Sequence, residues 1–562
     1  MRKGRVELWT LTASLVCLGL SWTLFSQSSV PFEKFETLTE YESPSWTPDG
    51  RHVLFQSGAP MEHRIYKLPA TGGEPVLLNP DLHRGQVVAS LSGRLAFTGI
   101  DSKGTFRIWT SNADGSSPQV MTAGMAGTQS SAAWSPDGSQ LAFESQTGFG
   151  FSVFVMDAAG GNRKRIAEGM KPVWSRDGKS IGYVVFSLLR MSQWVTVQLF
   201  GGQPRRLNST TMDAVDFGPM SFDWSPDGRQ ILVSRLDQGR WQIDVVDVEK
   251  DRVTSRLPLP GSAQSPKLSP DGTKIVYIHG DSGHSASIHV AQADGSRDSA
   301  VTQADKFTRA RLVRYKSADG TEIPAFLYEP TPSPGPRPAI VWLHGGLAGA
   351  SIDRVDPAVQ YFVGNGFVVL APNYRSSASF TPQLRDLKSG EQVVDDIAAS
   401  VDYLKSLPGV DPSHVFAFGA SFGGWSVLRS ITARPGLFAA AAEQCGITDV
   451  RALYETSPMF KAVLTARLGG SPEQVPERYR NESPISAVDR LTTPVLILHG
   501  DADKTIPFSQ ATALVAALKQ AGKSYEFVPY PGEDHGFQRA AWQDAMERTM
   551  RYFTVHMAVA AK

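Results

Sequence analysis

Cysteine is nearly missing from this chain: Cys17 and Cys445 are its only two in 562 residues. Cys17 falls in an apolar leader, so no disulfide can form within the body of the protein, and no zinc-type Cys/His spacing occurs. Net charge is missing as well. The 55 basic and 55 acidic residues are spread along the chain and cancel, which leaves no footprint for nucleic acid. Nothing in the sequence calls for a metal or a cofactor.

Glycine, by contrast, is plentiful at 51 residues, and much of it belongs to a repeat. Ser45-Trp-Thr-Pro-Asp-Gly50, Trp134-Ser-Pro-Asp-Gly138, Trp174-Ser-Arg-Asp-Gly178, Trp224-Ser-Pro-Asp-Gly228 and Leu268-Ser-Pro-Asp-Gly272 recur at intervals of 40, 50 and 44 residues after an opening gap of 88. The midpoint of that gap holds Ala89-Ser-Leu-Ser-Gly93, a worn copy. Each copy precedes an alternating strand such as Gln140-Leu-Ala-Phe143, and Pro-Asp-Gly suits the tight turn of a hairpin. Units of about 45 residues, four of the six with a tryptophan ahead of the turn, predict a β-propeller of four-stranded blades, six in number, with seven the alternative. The recurring Trp46, Trp134, Trp174 and Trp224 are then packing residues rather than a binding box.

The carboxyl-terminal half carries different chemistry. Val415-Phe-Ala-Phe-Gly-Ala-Ser-Phe-Gly-Gly-Trp425 reads as an apolar strand, a glycine-flanked serine and a helix start, a turn that presents the Ser421 hydroxyl. The spelling alone is not selective, since Gly178-Lys-Ser-Ile-Gly182 matches it but leads into a strand. Downstream, Pro494 to Leu498 runs into a polar loop that holds Asp501 and Asp503, and Tyr525 to Val528 precedes a loop that holds His535. Serine, acid and histidine thus follow the chain order of an α/β-hydrolase triad, in which imidazole takes the serine proton and a carboxylate fixes the imidazole. Phe422 N–H, at the helix start, and Gly346 N–H, in Ile340-Val-Trp-Leu-His-Gly-Gly346, are the candidate oxyanion donors.

Five motifs, His344-Gly-Gly346, Pro372-Asn-Tyr-Arg375, Gly419 to Gly424, His499-Gly-Asp-Ala-Asp503 and His535-Gly-Phe537, make this half resemble the catalytic domain of the prolyl oligopeptidase family of serine peptidases, most of all its acylaminoacyl-peptidase branch. The resemblance favours Asp503 over Asp501 as the acid. It implies a propeller that admits only short peptides to the site. Leu347 and Ser376-Ser377 depart from the branch at the rim. Arg375 either orients a substrate carbonyl or closes an ion pair. His344 and His499 are read as residues that pack or hydrogen-bond at strand ends rather than as catalytic ones. No Glu-Glu pair occurs to grip a substrate's free amine, which argues against a dipeptidyl-peptidase.

The expected organisation is therefore a leader over residues 1–30, a propeller over 31–307 and an α/β-hydrolase domain, a mostly parallel sheet with helices on both faces, over 308–562. Within the leader, Met1-Arg-Lys-Gly-Arg5 and the apolar run 8–25 suit either a cleaved export signal or a membrane anchor, which puts the body in the periplasm or outside the cell. The expected activity is hydrolysis of short peptides through an acyl-enzyme. A carboxylic-ester hydrolase with the same triad and a non-catalytic propeller binding protein are the alternatives.

Overall fold

The computed structural model describes residues 30–560 apart from 37–39, 59–62, 79–85, 149, 188–191, 200–201, 214–219, 332–334, 347–348, 379, 386 and 457. The apolar run 8–25, Cys17 and Leu347 lie outside the described residues. No helix among those described is long and apolar enough to cross a membrane.

The Pro-Asp-Gly repeat folds the same way in each copy. At Ser225 the hydroxyl donates to Asp227 Oδ1 (2.6 Å) and accepts from Gln230 N (2.9 Å), while Asp227 Oδ1 also accepts from Arg229 N (3.1 Å). The same three bonds recur at Ser135, Ser175 and Ser269, and Thr47 takes the serine's place in the first copy. Gly228 closes its turn at φ +68°, a backbone that side-chain-bearing residues rarely adopt. The worn copy keeps the turn, Gly93 N donating to Ser90 O (2.8 Å), with Ser92 where the others have aspartate.

These turns link the strands of six antiparallel sheets, spanning 40–77, 87–120, 128–168, 170–213, 222–256 and 262–300. Each sheet is built from consecutive strands, so no strand crosses from the last blade to the first among the described residues. Side chains close the ring instead. Val53, Phe55 and Leu68 of the first blade pack on Val276, Ile288 and Val290 of the sixth, and Trp46 Nε1 donates to Lys267 O at 2.8 Å. Trp224 likewise reaches from the fifth blade to Val173 O of the fourth (3.2 Å), as expected of an aromatic that packs between sheets.

The other half is one eight-stranded sheet. We number its strands β1 (Arg311–Lys316), β2 (Glu322–Tyr328), β3 (Arg337–Leu343), β4 (Val368–Pro372), β5 (Val410–Ala420), β6 (Ala441–Gln444), β7 (Val495–Gly500) and β8 (Tyr525–Tyr530). Their order is β1-β2-β4-β3-β5-β6-β7-β8. The β1/β2 and β2/β4 pairs are antiparallel, and β3 to β8 are mutually parallel. Ala339 to Leu343 of β3 and Val415 to Phe418 of β5 are continuous apolar runs because both faces are covered. Helices α1 (Pro357–Gly364) and α4 (Arg539–Ala560) pack on one face through Val359, Phe362, Met546 and Phe553. Helices α2 (Gly390–Lys405) and α3 (Phe422–Ala433) pack on the other through Ile397, Val401, Val427 and Leu428.

Contacts redraw the expected start of the propeller at residue 31. Val30 exchanges hydrogen bonds with the Asn365 amide (both 3.1 Å), and Phe32 packs edge-on against Tyr361 at 5.1 Å. The segment ahead of the first blade is thus held by the hydrolase half, because its phenylalanines complete the apolar face of α1.

The halves are docked through the fifth and sixth blades, with Asp353 at the centre. Its carboxylate, 2% exposed, pairs with Arg240 Nε (2.7 Å) and accepts from Ser282 N (2.8 Å), while its N–H donates to Gly239 O (2.8 Å). Asp353→Ala strands the buried Ser282 N–H, and a loss of about 1–3 kcal/mol in a urea-unfolding measurement is the expected result.

Candidate active site

β5 ends in the elbow that exposes Ser421. Ser421 lies between β5 and α3 at φ +58°, ψ −120°, a sparsely populated conformation for a residue with a side chain. The neighbouring glycines make it possible by close approach rather than by loose turning. A Cβ on Gly419 would sit 2.4 Å from Gly423 O, and one on Gly423 would sit 2.2 Å from Leu343 O. Strand, helix and the end of β3 therefore meet backbone to backbone around the serine, and Ser421 N–H is tied to Gln444 O at 2.8 Å.

The loops after β7 and β8 complete the arrangement. His535 Nε2 is 2.9 Å from Ser421 Oγ, and His535 Nδ1 is 2.7 Å from Asp503 Oδ2. Since the carboxylate can only accept, Nδ1 carries the ring proton and Nε2 is left to accept from the serine hydroxyl. Asp503 Oδ1 accepts from the N–H groups of Thr505 and Ile506, both at 2.8 Å, and His499 Nε2 lies 3.4 Å from Oδ2. Burial alone would raise this carboxyl. His499, His535 and the Ile506 N–H more than offset burial and hold it well below the usual carboxylate range. Asp501, the competing acid, is exposed and accepts from Gly532 N instead.

The loop after β3 lies against the elbow: a Cβ on Gly345 would stand 3.0 Å from Ala420 O and 3.5 Å from Ser421 Cβ. Gly346 follows at φ +76°. Phe422, the first residue of α3, has an N–H with no partner inside the helix. His344, kept neutral by a burial that pushes it down to about 4, stacks on Tyr374 and contacts Ser377 Oγ at 2.7 Å. Ser377, a departure from the resembled branch, is thereby part of the loop's support.

Of the two roles open to Arg375, the structure gives it the ion pair and not the substrate carbonyl. The guanidinium is buried and saturated by Asp396, with Nη2 at 2.5 Å and Nε at 3.0–3.1 Å, by Asp319 (2.5 Å) and by Ser317 (3.0 Å). A substrate would have to break these bonds to use it.

Three features escaped the sequence. An apolar pocket beside Phe422 is walled by Trp425, Ile447, Phe460 and Leu464, with Arg467 Nη2 and Glu482 Oε2 3.9 Å apart at its edge. It draws on helices whose facing no local pattern reveals, among them Pro458–Leu468. Second, Cys445 comes within 4.8 Å of both Asp503 and His535 in a set of donor atoms that could hold a metal, as could Glu40, Glu42 and His63 in the first blade. Third, Glu443 is fully buried on β6 with Oε1 lacking a hydrogen-bond partner. Burial pushes its carboxyl from 4.5 up to about 7, against the opposing pull of His499 and Gly446 N–H. An acid with a raised folded pKa binds its proton more tightly folded than unfolded, so stability falls as pH rises from 4.5 to 7. Glu443→Gln is expected to remove that fall, a gain on the order of 3 kcal/mol at pH 8 and little at pH 4, read from denaturant unfolding at the two pH values.

Comparison with known proteins agrees with this architecture. Residues 354–559 match the Prolyl oligopeptidase family. Dipeptidyl-peptidase 5 of Porphyromonas gingivalis is 25% identical over 443 residues, 72% of this chain and 63% of that protein. The acylamino-acid-releasing enzyme of Arabidopsis thaliana is 30% identical over 220 residues, 36% of this chain and 28% of its own length. In overall fold the chain is similar to a Mycobacterium tuberculosis puromycin-hydrolyzing peptidase (TM-score 0.75, 20% identity, covering 94% of this chain and 96% of that one). It is similar also to the Pyrococcus horikoshii acylaminoacyl peptidase (TM-score 0.68, 18% identity, 93% and 97% covered). Residues 354–559, most of the hydrolase half, are thus the part of the chain that matches the Prolyl oligopeptidase family of serine-type peptidases.

Proposed function

We propose that this peptidase cleaves short peptides through an acyl-enzyme formed on Ser421. The observation that carries the reading is His535, which bridges Ser421 Oγ and Asp503 at 2.9 and 2.7 Å. In this reading Nε2 takes the hydroxyl proton as Ser421 attacks the peptide carbonyl, and Asp503 stabilises the imidazolium so formed. Nε2 then returns the proton to the departing amine, and water releases the acyl group by the same route. Phe422 and Gly346 N–H groups hold the oxyanion.

The apolar walls beside Phe422 enclose only about 20 Å³, so in this reading they part to admit the acyl residue's side chain, and an apolar one is preferred because an ionised one would lose its hydration there. Access is set by the propeller in this reading. The loop that carries Gly346 continues to Asp353 in the dock, and Ala350 and Ala378, after β3 and β4, pack with the fourth and fifth blades.

A fluorophosphonate probe followed by mass spectrometry is expected to label Ser421 in the native protein and nothing in Ser421→Ala. That variant should keep its unfolding transition and lose about 10⁴- to 10⁶-fold in kcat/KM. Labelling elsewhere, or undiminished turnover in the variant, refutes the assignment. Among acylated aminoacyl p-nitroanilides, phenylalanine or methionine is expected to exceed aspartate by about 100-fold or more in kcat/KM, and parity would exclude the pocket as the acyl-residue site. Comparing amide with ester turnover in the same preparation separates a peptidase from an esterase.

A further inference from the structure

Cys445 is the cysteine that the fold delivers to the active site. It follows β6 directly, donates its N–H to Leu498 O on β7 at 2.9 Å and holds φ +49° with its residue 1% exposed. Its Sγ, a carboxylate oxygen of Asp503 and a ring nitrogen of His535 all lie within 4.8 Å of one another. Thiolate, imidazole and carboxylate are the ligand types zinc takes, and three protein ligands with one open position form a complete tetrahedral site. The cysteine takes no part in the proposed peptidase chemistry. Burial, chiefly, with the charges of Asp503 and Glu443, pushes its thiol up, so it is inert as a nucleophile, whereas a bound cation would reverse that field.

The geometry is close but not preformed. In a tetrahedral site with bonds of 2.0–2.3 Å, ligand atoms stand about 3.4 Å apart, whereas His535 Nδ1 and Asp503 Oδ2 are in hydrogen-bond contact at 2.7 Å. The ion must spread that pair by somewhat less than an ångström. The His535 side chain is 24% exposed against none for Asp503, so its ring is where an ion enters.

We propose that Cys445, Asp503 and His535 form a binding site for zinc or another thiophilic divalent cation, and that filling it switches the peptidase off. Two bonds to the ion form at the expense of protons. The thiol proton leaves to solvent as the Sγ–metal bond forms. The Nδ1 proton gives way to the metal and the ring is protonated at Nε2 instead, so one proton is released per ion. Nε2–H then points at Ser421 Oγ as a donor and can no longer accept the serine proton. The ion does not need to block the pocket; it holds the wrong tautomer.

The existence of the site does not rest on the proposed catalytic roles, whereas the inhibition does, and two readouts separate them. Cobalt(II) chloride added to the full chain is expected to give a near-ultraviolet thiolate-to-cobalt charge-transfer band. The band should be absent in Cys445→Ser and in Cys445→Gly, the latter suited to the positive φ. Zinc chloride should inhibit the wild type reversibly, with activity restored by a chelator. Losing a direct ligand should raise the inhibition constant at least as much as the 10- to 100-fold typical of losing an outer partner, with each variant's inhibition measured against its own metal-free turnover. Equal zinc sensitivity in both folded variants, or cobalt binding without a thiolate band, overturns the site. A thiolate band with undiminished turnover supports the site and overturns the switch, together with the role given to His535.

Discussion

The molecule is organised around a place where no side chain fits. Gly419, Gly423 and the Leu343 carbonyl approach so closely that any Cβ would overlap backbone atoms, and this contact fixes how α3 leaves the sheet. With the helix fixed, Ser421 has one conformation available, and its N–H is tied to β6. The parallel sheet supplies the rest. Because β3 to β8 point the same way, the loops at their carboxyl ends open on one edge, and Asp503 and His535 arrive there from β7 and β8 without any local sequence instruction. Strain at the serine is sustained by two well-packed faces, with Val427 and Leu428 on one and Phe362 and Phe553 on the other.

The propeller obeys a different economy. In four of its six blades the repeat uses one serine, one aspartate and one glycine to satisfy a turn's donors locally, which keeps the turn ordered without help from distant residues. Its inner strands share a second device. Ser43, Ser131, Lys171 and Ser265 all stand at φ between +50° and +56°, each beside a break in strand register. A β-bulge at the same point of four blades bends each inner strand alike and increases its twist, which helps six flat modules become a ring.

What could be read beforehand divides along the range of the interactions. The blades were legible because a covalent repeat reports a local structure, down to the worn copy at Ser90, where hydrogen bonding survives the loss of the aspartate. The decoy Gly178 to Gly182 was separable from the elbow by context, and Ser180 does open a strand. Ser421, Asp503 and His535 were grouped by chain order and by the resemblance that favours Asp503 over Asp501, and they are in hydrogen-bond contact. Contacts between distant segments were not legible. Asp353 meets Gly239 and Ser282 from more than 70 residues away, and nothing near it in sequence announces a dock. The fate of Arg375 turned on Asp396, and Cys445 is brought near Asp503 only by the pairing of β6 with β7. Val30 reads as the end of the leader and Phe32 as the start of the propeller when chain order, not packing, is all there is to go on.

That last displacement changes what the propeller is in polymer terms. With Val30 and Phe32 bound to α1 and the sheet of the hydrolase half resuming at Arg311, the propeller is an insertion whose two ends are both fastened to one body. Among the described residues no strand crosses between the first and sixth blades, and side-chain packing with bonds such as that of Trp46 seals the ring there, a seam that on a free chain would part against the full entropy of an open polymer. Tethered ends hold the two blades at high effective concentration, so a seam that opens recloses as an intramolecular event. The seam can therefore be the weakest joint of the ring and still spend nearly all its time shut.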